Sequence, residues 1–181
     1  MPRKTPARSS GCSRAGSRRH DQRALRHLRA AQRHAILALA RDGDAIGLEL
    51  YLRHYSARTY ADRRARSLFV GPGEKLVLVA HDDTAVFVWR RFISMDDQVG
   101  ICCAVFRNEG TTLSSDLIRE ADALADARWP GEHRHYTYVA PSRIRSSNPG
   151  YCFQAAGWRR AGQTKGGHGR ERLVVLERVV A

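Results

Sequence analysis

Between Glu74 and Phe92 the apolar residues come in dense runs broken by one polar step: EKLVLVA, then HDD, then TAVFVWRRF. Both runs are rich in β-branched and aromatic residues, so they predict two strands joined as a hairpin. VGICCAVF, from Val99 to Phe106, predicts a third strand. The pattern then changes period. In LSSDLIREADALADARW the residues Leu117, Ile118, Ala121, Leu124 and Ala125 fall on one helical stripe, with Ser114 or Ser115 as the expected cap and Pro130 as the stop. HYTYVA alternates as a strand from His135, and RLVVLERVV closes the chain as another.

Upstream of Gly71-Pro72-Gly73 the expected elements are helical. From Asp21 the run DQRALRHLRAAQRHAILALARDG sets Leu25, Leu28, Ile36 and Leu39 on one side and stops at Gly43, and a second helix is expected from Ile46 to Tyr55. A polar connection follows and ends in Leu68, Phe69 and Val70. Near the other end, NPGYCFQAAGW predicts a short helix with Asn148 as cap, Pro149 at its first position and Ala156 at its close. Gly157 supplies the left-handed residue that ends it, and Trp158 starts the next strand. The fold class expected is α/β (α+β), a mixed central sheet flanked by helices, centred on the crossover from VGICCAVF through the Ser115 helix to HYTYVA.

A chain of 181 residues suits one domain, here expected at 20–181 with a mainly helical part at 20–66. Residues 1–19 are rich in Arg, Ser, Gly and Pro without periodicity and predict a disordered basic tail. The longest apolar stretches, such as Leu76 to Ala80, are far too short to cross a bilayer. Four cysteines, Cys12, Cys102, Cys103 and Cys152, show no CxxC spacing, which argues against zinc and disulfides and for a reducing cytoplasm.

The formal charge of +13 changes the picture because it is uneven: residues 1–30 contribute +8 and residues 141–172 contribute +6, leaving the rest near −1. Two cationic patches point to a polyanionic partner, nucleic acid first. An arginine preference of a high-GC coding sequence gives the same composition, since Lys4, Lys75 and Lys165 are the only lysines.

The order of elements, with the Asn-to-GW segment near its end, resembles the GCN5-related N-acetyltransferase (GNAT) superfamily over Leu68 to Val180. The resemblance implies that VGICCAVF and HYTYVA are parallel strands that splay apart, with an acyl-pantetheine between them and acyl-CoA or a related acyl donor as cofactor. Two departures stand out. RNEGTTLSSD occupies the place of the superfamily's Q/R-x-x-G-x-G/A phosphate loop, so the cofactor-binding candidates become Arg107, Asn108, Ser114, Ser115 and Asp116, at a helix amino end with positive dipole character. The same serines serve equally well as simple caps. Phe153 stands where many members carry a Tyr that protonates the leaving thiolate, and Tyr151 is the nearest hydroxyl.

Three blocks, HYSAR at His54 to Arg58, RNEGTTLSSDLIREA at Arg107 to Ala121 and NPGYCFQAAGW at Asn148 to Trp158, resemble one branch of that superfamily, the phage Mom family. That likeness implies a phage or prophage transferase modifying adenine N6 in double-stranded DNA to a carbamoylmethyl group, as protection from restriction in the cytoplasm of an infected or lysogenic host. Its catalytic candidates are Tyr151, Asn148, His54 and Tyr55, with His54 as a base of near-neutral pKa. Arg143, Arg145, Arg159, Arg160, Lys165 and Arg170 would hold the DNA backbone, the last two on the Gly-rich loop GQTKGGHGR. His133 with His135, and His81 with Asp82 or Asp83, fall short of three metal ligands, so no metal site is assigned. Two other readings stay open: an acyl-CoA-dependent N-acetyltransferase acting on a small amine or a protein, and a non-catalytic basic nucleic-acid-binding module.

Overall fold

The computed structural model describes residues 35–57, 67–94, 97–166 and 171–180. The expected tail at 1–19 lies outside the described residues. In chain order the elements are β1 (Leu37–Ala40), α1 (Ala45–Leu52), β2 (Glu74–Ala80), β3 (Ala85–Arg91), β4 (Ile101–Asn108), α2 (Ser114–Arg128), β5 (Arg134–Val139), a 3-10 turn (Pro141–Arg143), α3 (Tyr151–Ala155), β6 (Arg159–Gln163) and β7 (Val174–Val179). The described strands form one mixed sheet in the order β1-β2-β3-β4-β5-β7-β6. Its parallel pair is β4 with β5, joined by the α2 crossover, and its other neighbours are antiparallel.

The expected hairpin, third strand, crossover helix and final strands all form. The first predicted helix does not run to Gly43: residues 21–34 lie outside the described residues, and Leu37–Ala40 is a strand paired with Val77 to Ala80 of β2. Local helix propensity loses there to a cross-strand partner. The Glu120 carboxylate reinforces the pairing by accepting the Ile36 and Leu37 amides at 2.9 and 2.8 Å. The second helix is shorter than expected, opening where the Asp44 side chain accepts the Gly47 N–H at 2.9 Å and ending at Leu52. Neither serine caps α2, because Ser114 is already its first residue and Leu113 precedes it without a side-chain bond. Nor does Asn148 cap α3. Gly150 holds that position at φ 85°, where an added Cβ would meet Leu176 at 2.3 Å.

The sheet carries a hydrophobic layer on each face. On one face α2 and α3 bury Leu76, Leu78, Phe87, Trp89, Ile101 and Cys103. On the other, α1 covers Val77, Val79, Val86, Val88 and Val105. Strand β4 changes faces along its length, with Ile101 and Cys103 toward α2 and Val105 toward α1. The cause is a bulge: Val88 pairs with Val105 while Trp89 pairs with Cys103, so Ala104 is the extra residue. An extra residue in one strand breaks the two-residue alternation and bends the strand.

Polar groups also lock the α2 layer from inside. Asp122 is 3% exposed, on the apolar stripe of α2, and accepts from Trp158 Nε1 at 2.9 Å while standing 2.7 Å from His135 Nδ1. His135 Nε2 lies 3.2 Å from Asp126, which Arg178 of β7 also reaches at 3.1 Å. Trp89 Nε1 donates to the Ala121 carbonyl at 2.9 Å. One buried carboxylate thus joins α2, β5 and the segment that follows α3. Replacing Asp122 with Ala strands the indole N–H and the imidazole together, which predicts a loss of about 3 kcal/mol in denaturant unfolding; a loss below about 1 kcal/mol would show that the network contributes little.

Candidate functional site

The β4–β5 ladder pairs Ile101 with His135, Cys102 with Tyr136 and Cys103 with Thr137, and goes no further. Both strands continue, β4 to Asn108 and β5 to Val139. The Thr137 hydroxyl donates to the Cys103 carbonyl at 2.9 Å and marks the last tie before they part. Bulging at Ala104, immediately beyond, turns β4 away from its neighbour. The expected splay therefore exists. A cavity of about 510 Å³ occupies the opening, lined by β4 from Cys102 to Phe106, by β5 from Thr137, by the start of α3 and by the turn after α1.

The four predicted catalytic residues, His54, Tyr55, Asn148 and Tyr151, all line this cavity. Their local settings separate them. His54 Nδ1 accepts the Ser56 N–H at 3.2 Å and lies 2.7 Å from Ser56 Oγ. A backbone N–H can only donate, so neutral His54 carries its proton on Nε2. Burial, with the positive charge of Arg107 added, pushes its pKa down to about 4. The expectation of a near-neutral base is thereby corrected: the imidazole stays neutral, and its free nitrogen is a donor.

Tyr55, 39% exposed, lies against His54 with ring centroids 4.3 Å apart and the planes tilted by 32°. Burial pushes its hydroxyl pKa up, against a hydrogen bond with the backbone of Ala140 at the end of β5. Tyr55 thus reaches from the α1 side to the β5 side of the opening. Asn148 exchanges amide hydrogen bonds with Gln154 at 3.1 and 3.2 Å, which fixes its side chain against α3. Tyr151, at 63% exposure, presents a hydroxyl from the first residue of α3. Phe153 is buried instead, edge-on to Trp158 at 4.9 Å, so Trp158 transmits the Asp122 anchorage to the α3 wall. Burial raises the thiol pKa of Cys103 and of Cys152, so both are protonated apolar lining at neutral pH.

The five predicted cofactor residues are outside the cavity lining, Arg107 and Asn108 at the end of β4 and Ser114, Ser115 and Asp116 in the first turn of α2. Asn108 organises the loop between them: its Nδ2 donates to the Thr112 carbonyl at 2.7 Å and to Ser114 Oγ at 3.1 Å, and its Oδ1 accepts the Gly110 N–H at 3.0 Å. Asp116 pairs with Arg119 at 2.6 Å. Arg107 is already engaged, its guanidinium donating to Glu109 and to the Arg53 carbonyl. Arg53 grips the same carboxylate with Nε at 2.9 Å and Nη2 at 2.8 Å. These bonds, Arg53 first and Arg107 next, hold the Glu109 pKa down to about 2. The cluster ties the end of β4 to the turn bearing His54 and Tyr55.

None of the five described residues among the six predicted DNA contacts lines the cavity. Arg159 pairs with Glu177 at 2.8 Å, Arg143, Arg145, Arg160 and Lys165 are exposed, and Arg170 lies outside the described residues. Among the described residues no group of three or more His, Cys, Asp or Glu converges as metal ligands. His135 belongs instead to the Asp122 network, and Asp82 is taken by the Thr84 amide and hydroxyl at 3.2 and 2.7 Å. No helix among the described residues is long and apolar enough to cross a membrane.

No family model and no curated protein matches the chain. Solved structures do match. An aminoglycoside acetyltransferase, AAC(6')-Ib, in complex with coenzyme A has a TM-score of 0.56 and 18% identity, over 79% of this chain and 93% of that one. An acetyltransferase from Bacillus subtilis in complex with CoA has a TM-score of 0.53 and 14% identity, over 80% of this chain and 98% of that one. A variant of spermidine N-acetyltransferase from Vibrio cholerae has a TM-score of 0.50 and 11% identity, over 79% and 92%. The chain therefore has the GNAT fold expected from its sequence. The narrower resemblance to the phage Mom family gains no support from them. Double-stranded DNA as partner is corrected as well: the ligands named for these structures are small molecules, a further AAC(6')-Ib complex adds kanamycin, and the described cations assigned to DNA are not among the residues that line the cavity.

The His54 environment has a pH signature. Its folded pKa of about 4 lies below the ordinary 6.5, so the unfolded chain takes the proton first as pH falls. The corresponding stability is complete above 6.5 and is lost as pH drops through about 4. His54→Gln should lose less melting temperature than the parent between about pH 7 and pH 5; equal losses in paired thermal scans would refute the assignment.

Proposed function

We propose that the protein is an acyl-CoA-dependent N-acyltransferase whose acceptor is a small-molecule amine. One observation carries this reading: the two central parallel strands stop pairing at Cys103 and Thr137 while both continue, and a cavity opens where the ladder ends. Buried backbone N–H and C=O groups require partners. The strand edges beyond Cys103 and Thr137 suit an extended ligand that carries amides of its own, which is what pantetheine is. The residues fit it: apolar side chains of Val105, Phe106, Val139 and Ile144 flank the opening and exclude water from it.

Acyl-CoA, when bound, supplies its acyl group as an activated thioester. The amides leading into α2, oriented by Asn108 and free of the Arg107–Glu109 pair, would hold its pyrophosphate. Within the cavity His54 acts as a neutral donor through Nε2, with Nδ1 committed to Ser56. Tyr151, which lines the cavity, would give a proton from its hydroxyl, the part that Phe153 cannot play. Asn148, fixed by Gln154, sets the turn from which Tyr151 starts.

Titration with acetyl-CoA in a calorimeter should give saturable binding by the full chain, and no heat at millimolar ligand would sink the proposal. Tyr151→Phe should bind acetyl-CoA as the parent does and lose about 100-fold in kcat for acetyl transfer. A loss under about threefold would remove Tyr151 from proton transfer.

A further inference from the structure

The cavity combines five aromatic rings with a lack of charge. Tyr55, Phe106, Tyr138, Tyr151 and Phe153 line it, and none of the described residues that line it is Asp, Glu, Lys or Arg. The carboxylate nearest in sequence to the lining residue Leu173 is Glu171, and it is already occupied. Its two oxygens accept the Ser142 amide at 2.7 Å and the Ser142 hydroxyl at 2.8 Å, and Arg143 adds a positive charge beside it. Ile144, which lines the cavity, is flanked in the chain by Arg143 and Arg145, both exposed. Beside Ile144 the described chain thus adds positive charge, and the described lining is neutral.

A polycation entering this space would lose hydration without gaining a counter-charge, and would pass the rim arginines against repulsion. A planar apolar body gains aromatic contact instead. Resting on the N-acyltransferase reading above, we propose that the acceptor is a primary amine carried on an aromatic body with no second positive charge. The site excludes the polyamine and aminoglycoside types of amine named for its structural neighbours. Transfer is balanced by the parts already named: a C–N bond forms between the amine and the acyl carbon, the C–S bond of the thioester breaks, and the amine proton leaves with the thiol.

The test measures thiol release from acetyl-CoA by the full chain with tryptamine, phenethylamine, spermidine and kanamycin, after calorimetry has established acetyl-CoA binding. The expected result is a kcat/KM at least about tenfold higher for the aromatic amines than for either polycation. If acetyl-CoA binds but the polycations are used as well as the aromatic amines, or none of the four is used, the acceptor class is overturned while the cofactor reading stands. If acetyl-CoA does not bind, the function proposal falls and this inference falls with it. A double variant, Arg143→Glu with Arg145→Glu, should raise spermidine relative to tryptamine by about threefold or more. An unchanged ratio overturns the part assigned to the rim.

Discussion

Two parallel strands in the middle of a sheet normally stay paired along their common length, because each backbone amide removed from water needs a partner. Here β4 and β5 share three residue pairs and then separate inside the fold. The extra residue Ala104 stands where the separation begins. Its insertion places Ala104 and Val105 on the same face, so β4 can continue along β3 only by turning its other edge away from β5. Without that extra residue Val105 would follow Cys103 toward α2, the α1 layer would lose a buried contact, and the ladder could close. The opening is therefore a product of side-chain patterning on both faces, in which each layer selects the register that forces the gap.

An opening in a sheet persists only if its walls cannot collapse together. The α3 wall is held from below by Asp122, which bonds Trp158, which in turn packs edge-on against Phe153 in the cavity lining. The opposite wall, the turn that carries His54 and Tyr55, is held by the Arg53–Glu109–Arg107 cluster at the end of β4. These two anchors differ in kind. Asp122 is desolvated, so its partners must be complete, whereas Glu109 is exposed and its pairs are screened by solvent and salt. The α3 side is accordingly the rigid reference and the His54 side the more responsive to salt.

The strands of this fold were legible because their side chains meet the sheet directly: EKLVLVA, TAVFVWRRF and HYTYVA each bury what their pattern promises. The helical stripe of α2 was legible for the same reason. Leu37–Ala40 was not, since its pairing with β2 and the capture of its amides by Glu120 are tertiary events that override a helical composition. Within the site, the sequence brought His54, Tyr55, Asn148 and Tyr151 to one cavity but misread how two of them act: Ser56 converts His54 from acceptor to donor, and Gly150 takes the cap from Asn148. Asp122 does carry a signal in the sequence. A carboxylate at the fourth position after Ile118 on an apolar stripe has to find buried donors.

Charge misled for a physical reason. A sequence records how many cations a segment has and says nothing of their partners, and here several are spoken for: Arg159 and Arg134 both reach Glu177, Arg107 and Arg53 share Glu109, and Arg178 reaches Asp126. Residues 141–172 carry +6 in sequence, yet none of the described cations among them lines the cavity. On the acceptor reading proposed above, the excess charge of this region acts on what approaches the opening, through the field at its rim, and the neutral aromatic lining decides what stays. Selection at the rim weakens with added salt while selection inside does not, since the Debye length falls from about 10 Å to about 3 Å between 0.1 M and 1 M salt and leaves desolvated contacts untouched.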